Sequence, residues 1–387
     1  MSTIKKKLLM LLFGTEKVLT IIPGTLLGIA VMWAAKLTSD YLGIFFKNRL
    51  NMSHSPVSMF LLAIILGMIV RNISRLPPVF EAGINFCVKK LLRLGIILLG
   101  IRLSIMAVAK IGMVSLLVAS LCVLSGLISA YYLSRLAGVG SRLGILIASG
   151  TSICGVSAIV AVSPCINARE EETTYAISTI TIFGLLVTLI YPYIIELVFQ
   201  LVPTQAGVFL GTAIHDTSQV TGAAYIYDQL WSTEISQVAI TTKLIRNMLM
   251  MAVIPILAMV YAKNNTIDCN SKTKGLWSYF PKFVLGFLAL ALFRSIGDFF
   301  TGQGNGGFLF WTSPESWAGF CLTVKTAAKY LLAVAIAGAG LCTRFDKLKK
   351  LSYKPFLIGL AAALIVGFVS FILVTLLKSP IASLGAL

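Results

Sequence analysis

Ala148-Ser149-Gly150-Thr151-Ser152-Ile153-Cys154-Gly155-Val156-Ser157-Ala158 interrupts an apolar segment that covers residues 143–164. Two glycines and four hydroxyl residues suit a plain lipid-facing helix poorly. They suit a helix that unwinds at membrane depth, which is tolerated only where the freed backbone lines protein or water. Freed N–H groups at a half-helix N-terminus would then face an anion, since dipole and donors point the same way. The same composition also serves close helix packing, so both readings stay open.

The composition around this stretch is that of a membrane protein. Of 387 residues, 58% are apolar and 12% are charged, and the mean hydropathy is +0.92. Soluble domains carry about a quarter charged residues, so a soluble enzyme and a disordered chain are both excluded. The apolar runs are long rather than alternating, which selects helices over a membrane barrel. Eleven candidate spans follow: 18–35, 57–73, 90–108, 111–134, 143–164, 174–198, 207–224, 241–262, 281–297, 322–342 and 355–377. The expectation is an all-α polytopic protein with inverted-topology repeats and broken helices.

The net charge of +18 would suggest nucleic acid in a soluble chain. Here the charges fall in short loops, so topology and anionic lipid account for them and no nucleic-acid partner is expected. With a cytoplasmic N-terminus, the basic stretch Arg344–Lys354 falls inside and Glu170-Glu171-Glu172 falls outside. The loop 36–56 disagrees, being outside yet carrying Lys36, Lys47 and Arg49. Lys5-Lys6-Lys7 and Leu8–Phe13 imitate a signal peptide, but no small-residue cleavage site follows. Residues 1–17 therefore read as a cytoplasmic segment. Seven cysteines are scattered without a C-x-x-C pair, so neither a disulfide framework nor a metal site is expected.

A weak internal repeat divides the rest. Glu16-Lys17-Val18 through Lys36 resembles Thr242-Lys243-Leu244 through Lys263, and Val70-Arg71-Asn72-Ile73 resembles Phe293-Arg294-Ser295-Ile296. Leu99-Gly100-Ile101-Arg102 likewise resembles Ala339-Gly340-Leu341-Cys342. An offset of seven spans makes the copies antiparallel, as in many secondary transporters. The halves are 18–136 and 231–377, with 137–230 as central broken-helix segments.

A second polar stretch, Gly211-Thr212-Ala213-Ile214-His215-Asp216-Thr217-Ser218-Gln219, repeats the G-T-x-I opening of the first. Ionisable groups inside a membrane are costly and usually functional. On a continuous helix His215 and Gln219 would share a face, and His215 with Asp216 would carry any proton coupling. A third stretch places Lys243, Arg246 and Asn247 at i, i+3 and i+4. Turned inward, that face would hold an anion, for which a planar guanidinium is well shaped. At a span end it would only snorkel. Arg102, Lys325 and Lys329 are weaker substrate contacts of the same sign. Both polar stretches are expected to line one cavity, with Gly150, Thr151, Ser152, Cys154, Gly155, Ser157, Gln219, Lys243, Arg246, Asn247 and Arg102 touching substrate. No catalytic residue, cofactor or metal ligand is expected.

These residues resemble the YeiH-type family of bacterial membrane proteins, described as sulfate exporters. The resemblance lies in Leu92-Arg93-Leu94-Gly95-Ile96, Leu99-Gly100-Ile101-Arg102-Leu103-Ser104 and Gly150-Thr151-Ser152-Ile153-Cys154-Gly155. It continues in Lys243-Leu244-Ile245-Arg246-Asn247 and in His215, Gln219 and Val220, with Asp216 where Glu is commoner. It implies the cation–proton antiporter and anion transporter group, an inner-membrane location, and export of a sulfate-like or sulfonate-like anion. The residues themselves support only a small anion, with a homodimer left open. Two competing functions are kept: a sodium/proton antiporter, and a non-transporting membrane sensor or assembly protein.

Overall fold

The computed structural model describes residues 18–50, 57–74, 76–265, 281–302, 313–344, 353–378 and 381. The N-terminal segment 1–17, most of the basic 344–354 stretch and residues 51–56 lie outside the described residues, whereas residues 36–50 of the expected outside loop 36–56 are helical and continue the first span. Every regular element described is helical. The chain groups into two units, one of residues 1–95 with 327–345 and one of residues 96–326 with 346–387.

The first unit begins with α1 (Val18–Leu50) and α2 (Met59–Ile73). Ser58 caps α2, its hydroxyl accepting the Phe60 N–H at 3.1 Å. A 3-10 turn then leads into α3 (Glu81–Phe86), a π turn and α4 (Leu92–Leu99), which passes into the second unit. Where α1 meets α3, Gly24 lies on Gly83 and each backbone occupies the space a Cβ of the other would need. The second half of α14 (Pro314–Cys342) closes the unit through another glycine contact, Gly67 on the Ala337 carbonyl and Gly340 on the Ile64 carbonyl. Small residues let helix backbones approach in this way inside membranes, where hydrophobic driving force between helices is absent. Arg71 pairs with Glu81 at 2.8 Å, and Asn72 Nδ2 donates to the Thr343 carbonyl at 3.0 Å.

The second unit holds α5 (Ile105–Leu136), α6 (Ser141–Ser152), α7 (Val156–Val162), α8 (Glu170–Ile194), α9 (Pro203–Ala213) and α10 (Thr217–Trp231). It continues with α11 (Ser236–Met248), α12 (Met250–Asn265), α13 (Phe283–Gly302) and, beyond the first part of α14, α15 (Tyr353–Leu376). α5 packs on α6, α11 and α15, α9 on α11 and α15, and α10 on α8 and α11. A buried core of Val118, Val187, Phe209, Val220, Tyr227 and Val366 ties α5, α8, α9, α10 and α15 together.

Among the described residues, seven helical stretches are long and apolar enough to cross a membrane, and they coincide with seven of the eleven expected spans. The other four fall on short or interrupted helices. The expected span 57–73 is the 15-residue α2. The expected 90–108 helix stops at Arg102, because Leu103 is extended (φ −118°, ψ 142°) and Ser104 caps α5 through the Ala107 N–H. Segments 143–164 and 207–224 are each split into two half-helices, and there the polar stretches lie.

Candidate functional site

Both breaks have three residues and both expose helix-terminal carbonyls. α6 ends at Ser152, and the chain turns through Ile153 (φ −112°, ψ −90°) before α7. The turn closes at Gly155 (φ 66°, ψ −124°), where only glycine is free of backbone strain. α9 ends at Ala213, and Ile214 is extended (φ −85°, ψ 143°). Asp216 then caps α10, its carboxylate accepting the backbone N–H of Ser218 at 2.8 Å and also the Ser218 hydroxyl. Gln219 Oε1 accepts the Asp216 N–H at 3.3 Å, completing a capping box.

One face of α11 joins the two breaks. Lys243 Nζ donates to the Ile153 and Ile214 carbonyls, each at 3.0 Å. Arg246 Nε donates to Ser152 O at 2.9 Å and Nη2 to Thr151 O at 2.8 Å. Its Nη1 donates to Thr212 O at 2.6 Å and Ile214 O at 2.9 Å. Asn247 Nδ2 donates to Thr217 Oγ1 at 3.2 Å. Lys243 and Arg246 are both 0% exposed.

The i, i+3, i+4 pattern therefore does turn inward, and the snorkelling alternative fails. Its fork donates to backbone carbonyls of both breaks, partners that the helical spacing did not foresee. The last carbonyls of a helix have no intrahelical donor and carry the negative end of its dipole. At membrane depth no water can satisfy them, so two cations on a third helix do.

The structure brings the two G-T-x-I stretches together, since one ammonium reaches both. The other expected residues separate by what they touch. The Thr151 hydroxyl donates back to its own helix, to Ile147 O at 2.8 Å, while Ser152 Oγ has no partner among the described residues. Gly150 is a packing position against Ile159 and Ile180. Cys154 Sγ lies 3.5 Å from Met250 Sδ. Ser157, at the start of α7, is exposed, while Asp216 and Thr217 are half-buried.

His215 does not share a helix face with Gln219, because it stands in the extended break ahead of α10. Its ring is 0% exposed and meets Phe183 edge-on at 5.6 Å. Neither ring nitrogen has a hydrogen-bond partner among the described residues. Gln219 instead faces α8, donating to Thr181 O at 3.1 Å.

Arg102 is not brought to the breaks. It stands beside the first turn of α11, with Nη2 3.0 Å from Glu234 Oε1 and Nη1 donating to Ser236 Oγ at 3.3 Å. Lys325 reaches the same Glu234 oxygen at 3.8 Å, and Lys329 is exposed. Glu234 was not singled out in the sequence. Nor was Asp228, whose carboxylate starts α11 by accepting the Ile235 N–H at 2.7 Å and the Ser236 N–H at 3.2 Å. Two acids just ahead of a polar helix were the available signal. Among the described residues, no three His, Cys, Asp or Glu side chains stand together as a metal site.

Fold and site together define a multi-pass α-helical membrane protein with two interrupted helices knotted at their breaks by buried cations. The family described as "Conserved hypothetical protein 698" matches residues 23–359. The chain belongs to this family, the YeiH-type or UPF0324 membrane proteins. A UPF0324 membrane protein of Bacillus cereus is 33% identical over 81% of this chain and 82% of its own length. One of Bradyrhizobium diazoefficiens is 37% identical over 73% of this chain and 76% of its own. One of Fusobacterium nucleatum is 29% identical over 89% of this chain and 96% of its own. No solved structure matches the chain.

Proposed function

We propose that this protein is a secondary transporter of a small inorganic or organic anion, working as an exporter in the bacterial plasma membrane with its N-terminus in the cytoplasm. The observation that carries this reading is the charge at the crossed breaks. Lys243 and Arg246 are fully buried, and among the described residues the carboxylate acting on Lys243 is Asp216. With both side chains counted as protonated, the balance is two positive charges against one negative. A buried excess of one charge is costly and favours a balancing partner of opposite sign. Interrupted helices at membrane depth are a recurrent feature of transporter sites. A sodium/proton antiporter would instead gather carboxylates there. The choice of sulfate or a sulfonate rests on the description attached to the YeiH-type family. Substrate contact is assigned to Ser152, Gly155, Ser157, Gln219 and Asn247 around the cation pair.

A ligand screen on the purified protein tests the class. Sulfate, sulfite, thiosulfate, sulfonates and carboxylates are compared with chloride by thermal melting. A ligand at one hundred times its Kd stabilises by about 2.7 kcal/mol, so one anion should raise the melting temperature saturably. A flat response across the whole panel would overturn the reading.

Proton coupling, where present, is assigned to His215 with Asp216. A buried imidazole without partners is paid for only if another state of the cycle uses it, because each unmet polar group costs about 1–3 kcal/mol. His215→Ala is expected to flatten the pH profile of anion flux in proteoliposomes while leaving apparent affinity in place. An unchanged profile would remove the coupling role and leave the anion site standing.

A further inference from the structure

Unwound carbonyls and half-helix C-termini are what many transporters use to hold a coupling sodium ion or proton. In this protein the corresponding oxygens are already taken. Five carbonyls, those of Thr151, Ser152 and Ile153 from one break and Thr212 and Ile214 from the other, receive six N–H bonds from Lys243 and Arg246. The two side chains divide the work. Arg246 spreads four bonds over the end of α6, the end of α9 and Ile214 in the second break, as its rigid fork allows. Lys243 puts a compact charge between one carbonyl of each break, with Asp216 the close carboxylate.

We propose that the Lys243 ammonium is a tethered counter-ion in the place a free alkali cation would otherwise occupy, so that the transport cycle needs neither sodium nor potassium. This rests on the transporter reading above. The physical argument is one of occupancy. Hard cations are held by converging oxygens, and the oxygens that converge here are bonded to an ammonium carried by α11. Because that charge is covalently part of the chain, it cannot leave, and no external cation concentration sets how full the position is. The side chain that fills it is itself fully buried.

The wild-type protein gives the first arm of the test. Its melting temperature and its anion flux in proteoliposomes are expected to be the same in sodium, potassium and N-methyl-D-glucamine chloride of equal ionic strength. A requirement for sodium or potassium in either readout overturns the proposal. The second arm uses Lys243→Ala, which bares Ile153 O and takes one of two donors from Ile214 O. Its melting temperature should fall and recover saturably with methylammonium or potassium, but not with N-methyl-D-glucamine. Lys243→Met, which refills the space without charge, should not recover. An alanine variant that purifies and responds to no small cation overturns the proposal, as does equal recovery of the methionine variant. Should the alanine variant fail to fold, the wild-type ion substitution still decides. Melting does not depend on flux, so an unresponsive anion screen would sink the transporter reading while the cation arms continued to report on Lys243.

Discussion

Arg246→Ala is expected to cost about 3 kcal/mol or more, since each buried polar group left unmet costs about 1–3 kcal/mol. Three backbone carbonyls lose their side-chain donor and a fourth, Ile214 O, is left with Lys243 alone, in a region where water cannot replace it. The measurement is the melting temperature of the detergent-purified variant by size exclusion after heating. Loss of the folded peak at temperatures the wild type survives is the expected outcome. Arg246→Lys should fall between the two, since one ammonium cannot reach both helix ends as the fork does. A wild-type melting curve for Arg246→Ala would show that the two half-helix ends are satisfied in some other way.

Gly83→Ala is the second large effect, expected at about 3 kcal/mol, the upper part of the usual overpacking range. A Cβ there would press on backbone atoms only, among them Thr25 N at 2.5 Å and Gly24 Cα at 2.6 Å. No rotamer change relieves a clash with backbone, so α1 and α3 must part. Gly24→Ala should cost the same for the reciprocal reason, with Ile84 N at 2.6 Å and Gly83 Cα at 2.8 Å. The two together should cost less than their sum, because they break one shared contact. Gly150→Ala is the control, since the atoms its Cβ would meet are side-chain methyls of Ile180 and Ile159, which can turn away. Equal losses at Gly83 and Gly150 would refute the backbone argument. Melting of the purified variants reads all three.

How much of this was legible in the chain follows from which interactions are local. Apolar runs placed α5, α8, the pair α11 and α12 (expected as one span), α13, α14 and α15, with ends off by as much as eight residues, because a bilayer demands length and little else. The breaks were visible because glycine and hydroxyl residues at Gly150–Gly155 and Gly211–Asp216 contradict the apolar segments around them. The inward face of Lys243, Arg246 and Asn247 was visible from helical spacing alone. What that face meets was not, since carbonyls are present at every position and carry no sequence signal. The pattern was accordingly assigned to solute when its first duty is to two helix ends. His215 was misplaced because a helical face was assumed through a stretch that is extended. The pairing of Arg102 with Glu234 joins residues from distant spans, and no spacing rule anticipates it.

The knot at the breaks also has a consequence in time. Arg246 follows Ser152 by 94 residues, so at synthesis rates of 5–20 residues per second the end of α6 waits roughly 5–20 s for its donor. Through that interval its terminal carbonyls cannot be given to lipid. α6 must be sheltered by the insertion machinery or held near its watery mouth until α11 arrives. The two interrupted helices therefore cannot settle before α11 is made.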